Sequence, residues 1–405
     1  MRNVFSPEPF SRPPRVTVSP PGPITALLRF AAPSDPLAAQ PRWRLLRNPV
    51  QVVTAHTLDE VGSALKAVEQ AVAEGLYAAG FVTYEAAPAF DPTLVTHPSG
   101  EMPLLWFALF TNFEELDDLP GSTSNFSLGA WTPDGPETEY AAAITEIRRQ
   151  IAEGNTYQVN HTLRLRAPFA GDDLALFTAL SRAQPTFYSA YLNAGRWRVL
   201  SVSPELFFSV AGGEIVTRPM KGTAPRGGTP EEDAARVAAL RASPKERAEN
   251  LMIVDLLRND LGRVSRFGTV TVPRLFEVET YPTLHTMTSM VRAELRPSVR
   301  LAEVFGALFP CGSVTGAPKV NTMRLIRRLE PAPRGVYCGA VGYLSPGDEM
   351  VFNVPIRTVT LDMARGTAEY GVGGGVTWDS TPEGEYAEVL TKAAVVRGLV
   401  TGEQS

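Results

Sequence analysis

The chain has 405 residues, 44% of them apolar and 20% charged, with a formal net charge of -5; it can bury a sizeable core, and it offers neither a basic field for nucleic acid nor an acidic tail. Two cysteines, Cys311 and Cys338, are too few for a disulfide framework and sit in no metal-ligand spacing, so both read as small buried residues in a reducing cytoplasm. The N-terminus lacks a secretory apolar run and no stretch of about 18 uncharged apolar residues occurs, which predicts a cytosolic protein without a membrane anchor.

Residues 1–24 carry Pro7, Pro9, Pro13, Pro14, Pro20, Pro21 and Pro23. Prolines at this density deny regular hydrogen bonding and predict a flexible leader or loosely docked arm. An N-terminal region, 25–126, mixes strand-like runs such as Gln51-Val52-Val53 and Leu104 to Phe110 with a helix near Leu58 to Gly75. Gly121 to Asn125 reads as a linker to a second region, 127–405. There, Tyr140, Ile144, Ile147 and Ile151 mark one apolar helix face that stops at Gly154. Thr217 to Gly228 reads as loop, and a long helical stretch from Pro230 to Leu261 should break at Ser243-Pro244. Pro318 to Leu329 reads as a further helix, with strands expected at Val336 to Leu344, Met350 to Leu361 and Thr367 to Val372. No internal repeat is present.

Several segments carry chemistry. Lys221 lies in the run Arg218-Pro219-Met220-Lys221-Gly222-Thr223, after a Ser203-Pro204-Glu205 strand and ahead of a carboxylate-rich helix. An amine beside an acid and a group of glutamates has the parts for nucleophilic displacement on an anionic substrate near a metal. Glu246 and Glu249 are three apart on a predicted helix, and Glu385 and Glu388 repeat that spacing. Each pair projects two carboxylates from one face, and two such faces meeting would suit Mg2+ with water and substrate completing its shell. A lone E-x-x-E pair is usually solvated helix surface; two pairs beside the Lys221 run argue otherwise. Gly312 to Lys319 lacks phosphate-loop spacing and reads as a small-residue turn opening a helix, able to bind a carboxylate. Gly371-Val372-Gly373-Gly374-Gly375 lets backbone approach a ligand closely. His285, Tyr337 and Arg357 are singly unremarkable, although an arginine can fork onto a carboxylate.

Together these segments resemble the chorismate-utilising family, which includes anthranilate synthase component I, aminodeoxychorismate synthase component I, and the isochorismate and salicylate synthases. Residues 135–400 carry the resemblance through Gly154 to Asn160, Ser203 to Glu205, the Lys221 run, Glu249 to Leu261, Gly312 to Lys319 and Asp379 to Pro382. The N-terminal part is similar more loosely, at Gly80 to Glu85 and Pro103 to Phe110. The resemblance implies an α+β fold of two packed antiparallel sheets flanked by helices, as in anthranilate synthase component I, with the active site between them. It implies Glu249 and Glu388 as direct Mg2+ ligands, with Glu246 and Glu385 holding metal-bound waters. Tyr337, Arg357 and the Gly373 backbone would receive the enolpyruvyl carboxylate. Thr315, Gly316 and Lys392 would border the ring carboxylate, His285 would sit near the departing hydroxyl, and Glu205 would be its general acid.

Two positions separate the family's reactions. Members that add water have lysine where Gln158 stands, and an amide cannot act as that base. The proline-x-lysine-glycine-threonine form around Lys221 is similar to the aminodeoxychorismate synthases, where anthranilate synthases usually have alanine. That implies amination at C4 for 4-aminobenzoate and folate synthesis. Lys221 would attack C2 while Glu205 protonates the leaving hydroxyl, or would instead act as a fixed positive charge. Covalent attack needs the neutral amine, a form favoured by burial or by a cation such as Mg2+ or Arg226. No G-x-C-x-G nucleophile elbow occurs, so a separate glutamine amidotransferase subunit is expected to supply ammonia. A fused lyase and pyridoxal phosphate are not expected. An anthranilate synthase component I of tryptophan synthesis is the neighbouring alternative, and a non-catalytic chorismate-binding module the third.

Overall fold

A computed structural model describes residues 15–17, 24–31, 41–121, 124–281 and 284–401. Two sheets, each of eleven strands among the described residues, pack face to face with helices on both outer sides. Every pairing is antiparallel. In the first sheet the strands run in the order Arg15–Thr17, Gln51–Ala55, Leu105–Phe110, Tyr77–Val82, Ala340–Ser345, Glu349–Asn353, Leu206–Ala211, Glu214–Arg218, Leu284–Glu294 and Met220–Pro225. Thr271–Thr280 adds to the far side of Leu284–Glu294. The second sheet runs Gly316–Ala317, Gln158–Gly171, Thr367–Val376, Thr358–Asp362, Trp197–Ser203, Tyr188–Ala194, Ile24–Phe30, Trp43–Arg47 and Glu114–Leu116. Phe126–Leu128 and Thr132–Pro133 pair with the long strand Gln158–Gly171.

The layering follows from side-chain alternation along the strands. Trp106, Ala108 and Phe110 point into the core between the sheets, while Phe107 and Leu109 point to the outer core of the first sheet. Ala26 and Leu28 likewise enter the inter-sheet core, and Leu27 faces the outer core of the second sheet. Strands buried on both faces read as continuous apolar runs, which is why Leu104 to Phe110 shows no polar alternation.

Residues 25–126 build both sheets together with the later strands: Ile24–Phe30 completes the second sheet against Tyr188–Ala194, Tyr77–Val82 joins the first against Ala340–Ser345, and Phe126–Leu128 is a strand across the expected boundary. Of the leader, Arg15–Thr17 pairs with Gln51–Ala55, and the rest up to Ile24 lies outside the described residues. The expected loop from Thr217 is mostly sheet, because Met220–Pro225 pairs with Leu284–Glu294 across a register shift. Tyr337 and Arg357 lie in turns flanking strands, since Pro355 interrupts the run from Met350 to Leu361 and Arg357 has φ 52°.

The helices begin where the sequence signals them. Ser243 caps Pro244–Gly262, its Oγ accepting the Glu246 N–H at 3.3 Å, and Thr381 caps Pro382–Arg397, accepting the Gly384 N–H at 3.1 Å. Both glutamate pairs therefore start in the first turns of helices, where the helix dipole favours negative charge.

Candidate active site

At one end of the inter-sheet space lies a cavity of about 210 Å3 lined by Glu205, Lys221, Glu246, Glu249, Glu385, Glu388 and Lys392, with Asn160, Ser313, Tyr337, Arg357, Gly373 and Gly375. Its floor is the strand Thr367–Val376. There Tyr370, Val372 and Val376 turn to the outer core, and glycines occupy the intervening positions. The glycines are required by what approaches them. A Cβ on Gly375 would lie 2.1 Å from Gln158 Nε2 and 3.2 Å from Lys221 Nζ, and one on Gly374 would lie 2.8 Å from Glu385 Oε2. Gly222 has φ 88° and carries Glu246 Oε2 at 2.6 Å from where its Cβ would be, so the residue after Lys221 must be glycine on both counts.

Two titration environments meet here. Burial pushes the Glu205 carboxyl up to about 7, against the opposing pull of the Ser313 hydroxyl and the Lys221 ammonium, and its Oε1 has no hydrogen-bond partner. Burial likewise raises Glu246, Glu249 and Glu385, with Glu388 adding repulsion in each case. Glu388 stands at the rim: burial raises it, but the ammonium of Lys392 at 2.5 Å, with Lys221 and Lys245, brings it below the usual carboxylate range. Lys392 also donates to the Gly373 carbonyl at 2.8 Å.

Two buried carboxylates fix the Tyr337 turn. Glu330 receives Arg334 Nε at 2.9 Å and Nη2 at 2.6 Å, and Glu85 receives the Arg334 and Gly335 N–H groups at 2.7 and 2.9 Å. The Tyr337 ring then lies on Gly371, where an added Cβ would come within 2.3 Å of it, and the Arg164 guanidinium stands 5.2 Å from its centroid. Arg357 is oriented by the Gln184 side-chain carbonyl at 2.8 Å. Gln184 escaped the sequence reading, being a single polar residue at the end of a helix with no spacing that marks it, while Asn160 and Ser313 lie in segments that carry the resemblance without a role of their own.

Three residues that the resemblance assigned to the site lie outside its walls. Thr315 is fully buried and gives its hydroxyl to the Cys311 carbonyl at 3.1 Å, while Gly316 pairs with Val159; the neighbouring Ser313 and Val314 face the cavity instead. His285 is buried behind the Lys221 strand, with Nδ1 at 2.9 Å from Thr280 Oγ1 and Nε2 at 2.9 Å from Asp233 Oδ1, so both ring nitrogens are engaged. Lys319 closes the expected turn by donating to Asp260 at 3.1 Å.

The donor set suits a hard divalent cation. Glu385 Oε2 is buried without a partner, and mutually repelling carboxylates on two helices share one cavity. Among the described residues, no group of three or more His, Cys, Asp or Glu could hold an ion by itself, so water and substrate oxygens would have to complete its shell. No described helix is long and apolar enough to cross a membrane.

Two stacked antiparallel sheets with this cavity at one end define an α+β fold of the anthranilate synthase component I type. It superposes on anthranilate synthase component I from Streptococcus pneumoniae TIGR4 with a TM-score of 0.73 at 24% identity, covering 97% of this chain and 94% of that one. A putative 2,3-dihydroxybenzoate-specific isochorismate synthase from Bacillus anthracis gives 0.74 at 21% identity, covering 93% and 96%. The chain belongs to the chorismate binding enzyme family, whose sequence profile matches residues 25–398. It is 43% identical over 270 residues to aminodeoxychorismate synthase component 1 of Klebsiella aerogenes, covering 66% of this chain and 59% of that protein. It is 36% identical over 340 residues to anthranilate synthase component 1 of Methanothermobacter thermautotrophicus, covering 78% and 72%. Against the aminodeoxychorismate synthase component 1 relatives of Klebsiella aerogenes and Escherichia coli K12, the matched region spans 59% and 57% of their length.

Proposed function

We propose that the chain is an aminodeoxychorismate synthase component I, a transferase that converts chorismate and ammonia to 4-amino-4-deoxychorismate for 4-aminobenzoate and folate synthesis. The observation that carries this reading is Lys221 lining the same cavity as the raised carboxyl of Glu205 and both glutamate pairs. The relatives named aminodeoxychorismate synthase support it. Mg2+ would be held by Glu249 and Glu388, with Glu246 and Glu385 on its waters, and when bound it supplies positive charge for the ring carboxylate of the substrate.

Catalysis by the chain's own residues follows from this. Tyr337 and Arg357 orient the enolpyruvyl carboxylate, and Lys392 borders the ring. Neutral Lys221 forms a bond from Nζ to C2. Both ring double bonds shift, the C4–O bond breaks, and the proton of Glu205 leaves with the hydroxyl as water. Ammonia then bonds to C4 and gives one of its protons back to the Glu205 carboxylate, while the double bonds shift back and Lys221 departs from C2 as the neutral amine. Ammonia would come from a glutamine amidotransferase subunit acting in the cytoplasm.

The longer overlap with an anthranilate synthase component 1 supports the neighbouring reading, amination at C2 followed by loss of the enolpyruvyl group. Incubation with chorismate, Mg2+ and ammonium salt separates the two. Aminodeoxychorismate, convertible to 4-aminobenzoate by an added lyase, is expected; anthranilate as the product would transfer the assignment.

A further inference from the structure

The inter-sheet space holds a second cavity, of about 500 Å3, lined by Glu85, Glu101, Trp197, Thr360 and Glu369 among others. It shares two wall residues with the active-site cavity, Tyr337 and Gly371. We infer that this second cavity is the route by which ammonia reaches bound chorismate, with the Tyr337 ring on Gly371 as the partition it passes. The inference rests on the amination reading above.

Three observations carry it. A substrate with a ring, a ring carboxylate and an enolpyruvyl arm would occupy most of a cavity of about 210 Å3, whose walls already hold the four carboxylates of the two glutamate pairs. The second reactant then needs another approach, and the larger cavity abuts the first across one aromatic ring. That ring is packed on a residue with no side chain, at a point where a Cβ would come within 2.3 Å of it, and both residues line both cavities.

The lining also selects by charge. Each arginine of the second cavity is already committed: Arg166 to Glu369 at 2.9 Å, Arg334 to Glu330 at 2.6 Å, and Arg365 to Glu101 at 3.1 Å. A doubly anionic substrate finds no free cation there to repay its desolvation. The lining still offers the hydroxyls of Thr83 and Thr360, acceptors that suit the N–H groups of a small neutral or cationic nitrogen species. No bond is made or broken on this route, and the ammonia is the one that the amination consumes.

Thr360 lies on the cavity side of Thr358–Asp362, opposite Glu369, and takes no part in the active-site wall. Thr360→Phe should fill the cavity. With the full chain, chorismate, Mg2+ and ammonium chloride, kcat/KM for ammonium should fall about tenfold or more while the chorismate KM stays at the wild-type value. Thr360→Ser should behave as wild type. If Thr360→Phe fails to fold by circular dichroism, Thr367→Phe nearer the surface replaces it. Unchanged kcat/KM for ammonium in a folded, filled variant overturns the route. A raised chorismate KM also overturns it, because the cavity would then belong to the substrate site. If wild-type protein makes no aminodeoxychorismate, the amination reading itself fails and takes the route with it.

Discussion

Lys221 and Gly375 face each other across the cavity floor so closely that a methyl group on Gly375 would stand 3.2 Å from the lysine nitrogen. The glycine therefore sets where the amine can rest. Gly375→Ala would also drive into the Gln158 amide, which must rotate away. The expected result is a fall in kcat of about tenfold or more with the chorismate KM little changed, since the displaced group acts on the reacting carbon. Steady-state kinetics at saturating ammonium checks it.

Glu205 gives a pH dependence with a definite sign. Its carboxyl is held near 7 by burial, and as general acid it must be protonated, so kcat/KM for chorismate should decline as pH rises above about 7. Glu205→Gln should lower kcat by about 10²–10⁴ and remove that limb. The same shift acts on stability. A raised carboxyl pKa favours the fold fully below its unfolded value near 4.5, and that contribution is lost as pH rises through about 7. The stability of wild type relative to Glu205→Gln should therefore fall across that window, as urea unfolding at several pH values would show.

The glutamate pairs predict a linkage to divalent cation that does not depend on turnover. Mg2+ binding the folded chain alone should raise its melting temperature, and chorismate should increase that effect. Glu249→Gln and Glu388→Gln should each weaken the Mg2+-induced shift, while EDTA should stop product formation in wild type. Full activity in excess EDTA would show that the carboxylates serve another purpose.

The Arg334–Glu330 pair is fully buried and holds the turn that carries Tyr337. Removing one partner leaves a buried charge uncompensated, so Glu330→Ala should cost about 3–5 kcal/mol of stability. Chemical denaturation would measure it. Glu330→Gln should raise the chorismate KM in whatever fraction still folds, because Tyr337 loses its support.

Much of the site is legible in the sequence. Ser243-Pro244 and Thr381-Pro382 announce helix starts because an N-cap hydroxyl followed by proline suits that geometry, and the glutamate spacing then places each pair on one face. The Lys221 run and the glycine cluster were visible because close approach demands those residue types. What was hidden is tertiary. Strand pairing between Ile24–Phe30 and Tyr188–Ala194 joins segments far apart in sequence, and no local pattern encodes it. Arg357 reads as strand, but it sits at φ 52° in the break between Glu349–Asn353 and Thr358–Asp362. His285 reads as a site residue, yet Asp233 and Thr280 claim both its nitrogens, and neither partner is signalled by spacing.

Lys221→Ala tests the central claim most directly, with chorismate, Mg2+ and saturating ammonium and the products separated by chromatography. The variant should bind chorismate with near wild-type affinity and release no 4-amino-4-deoxychorismate. Production of that compound by Lys221→Ala at the wild-type rate would contradict the account.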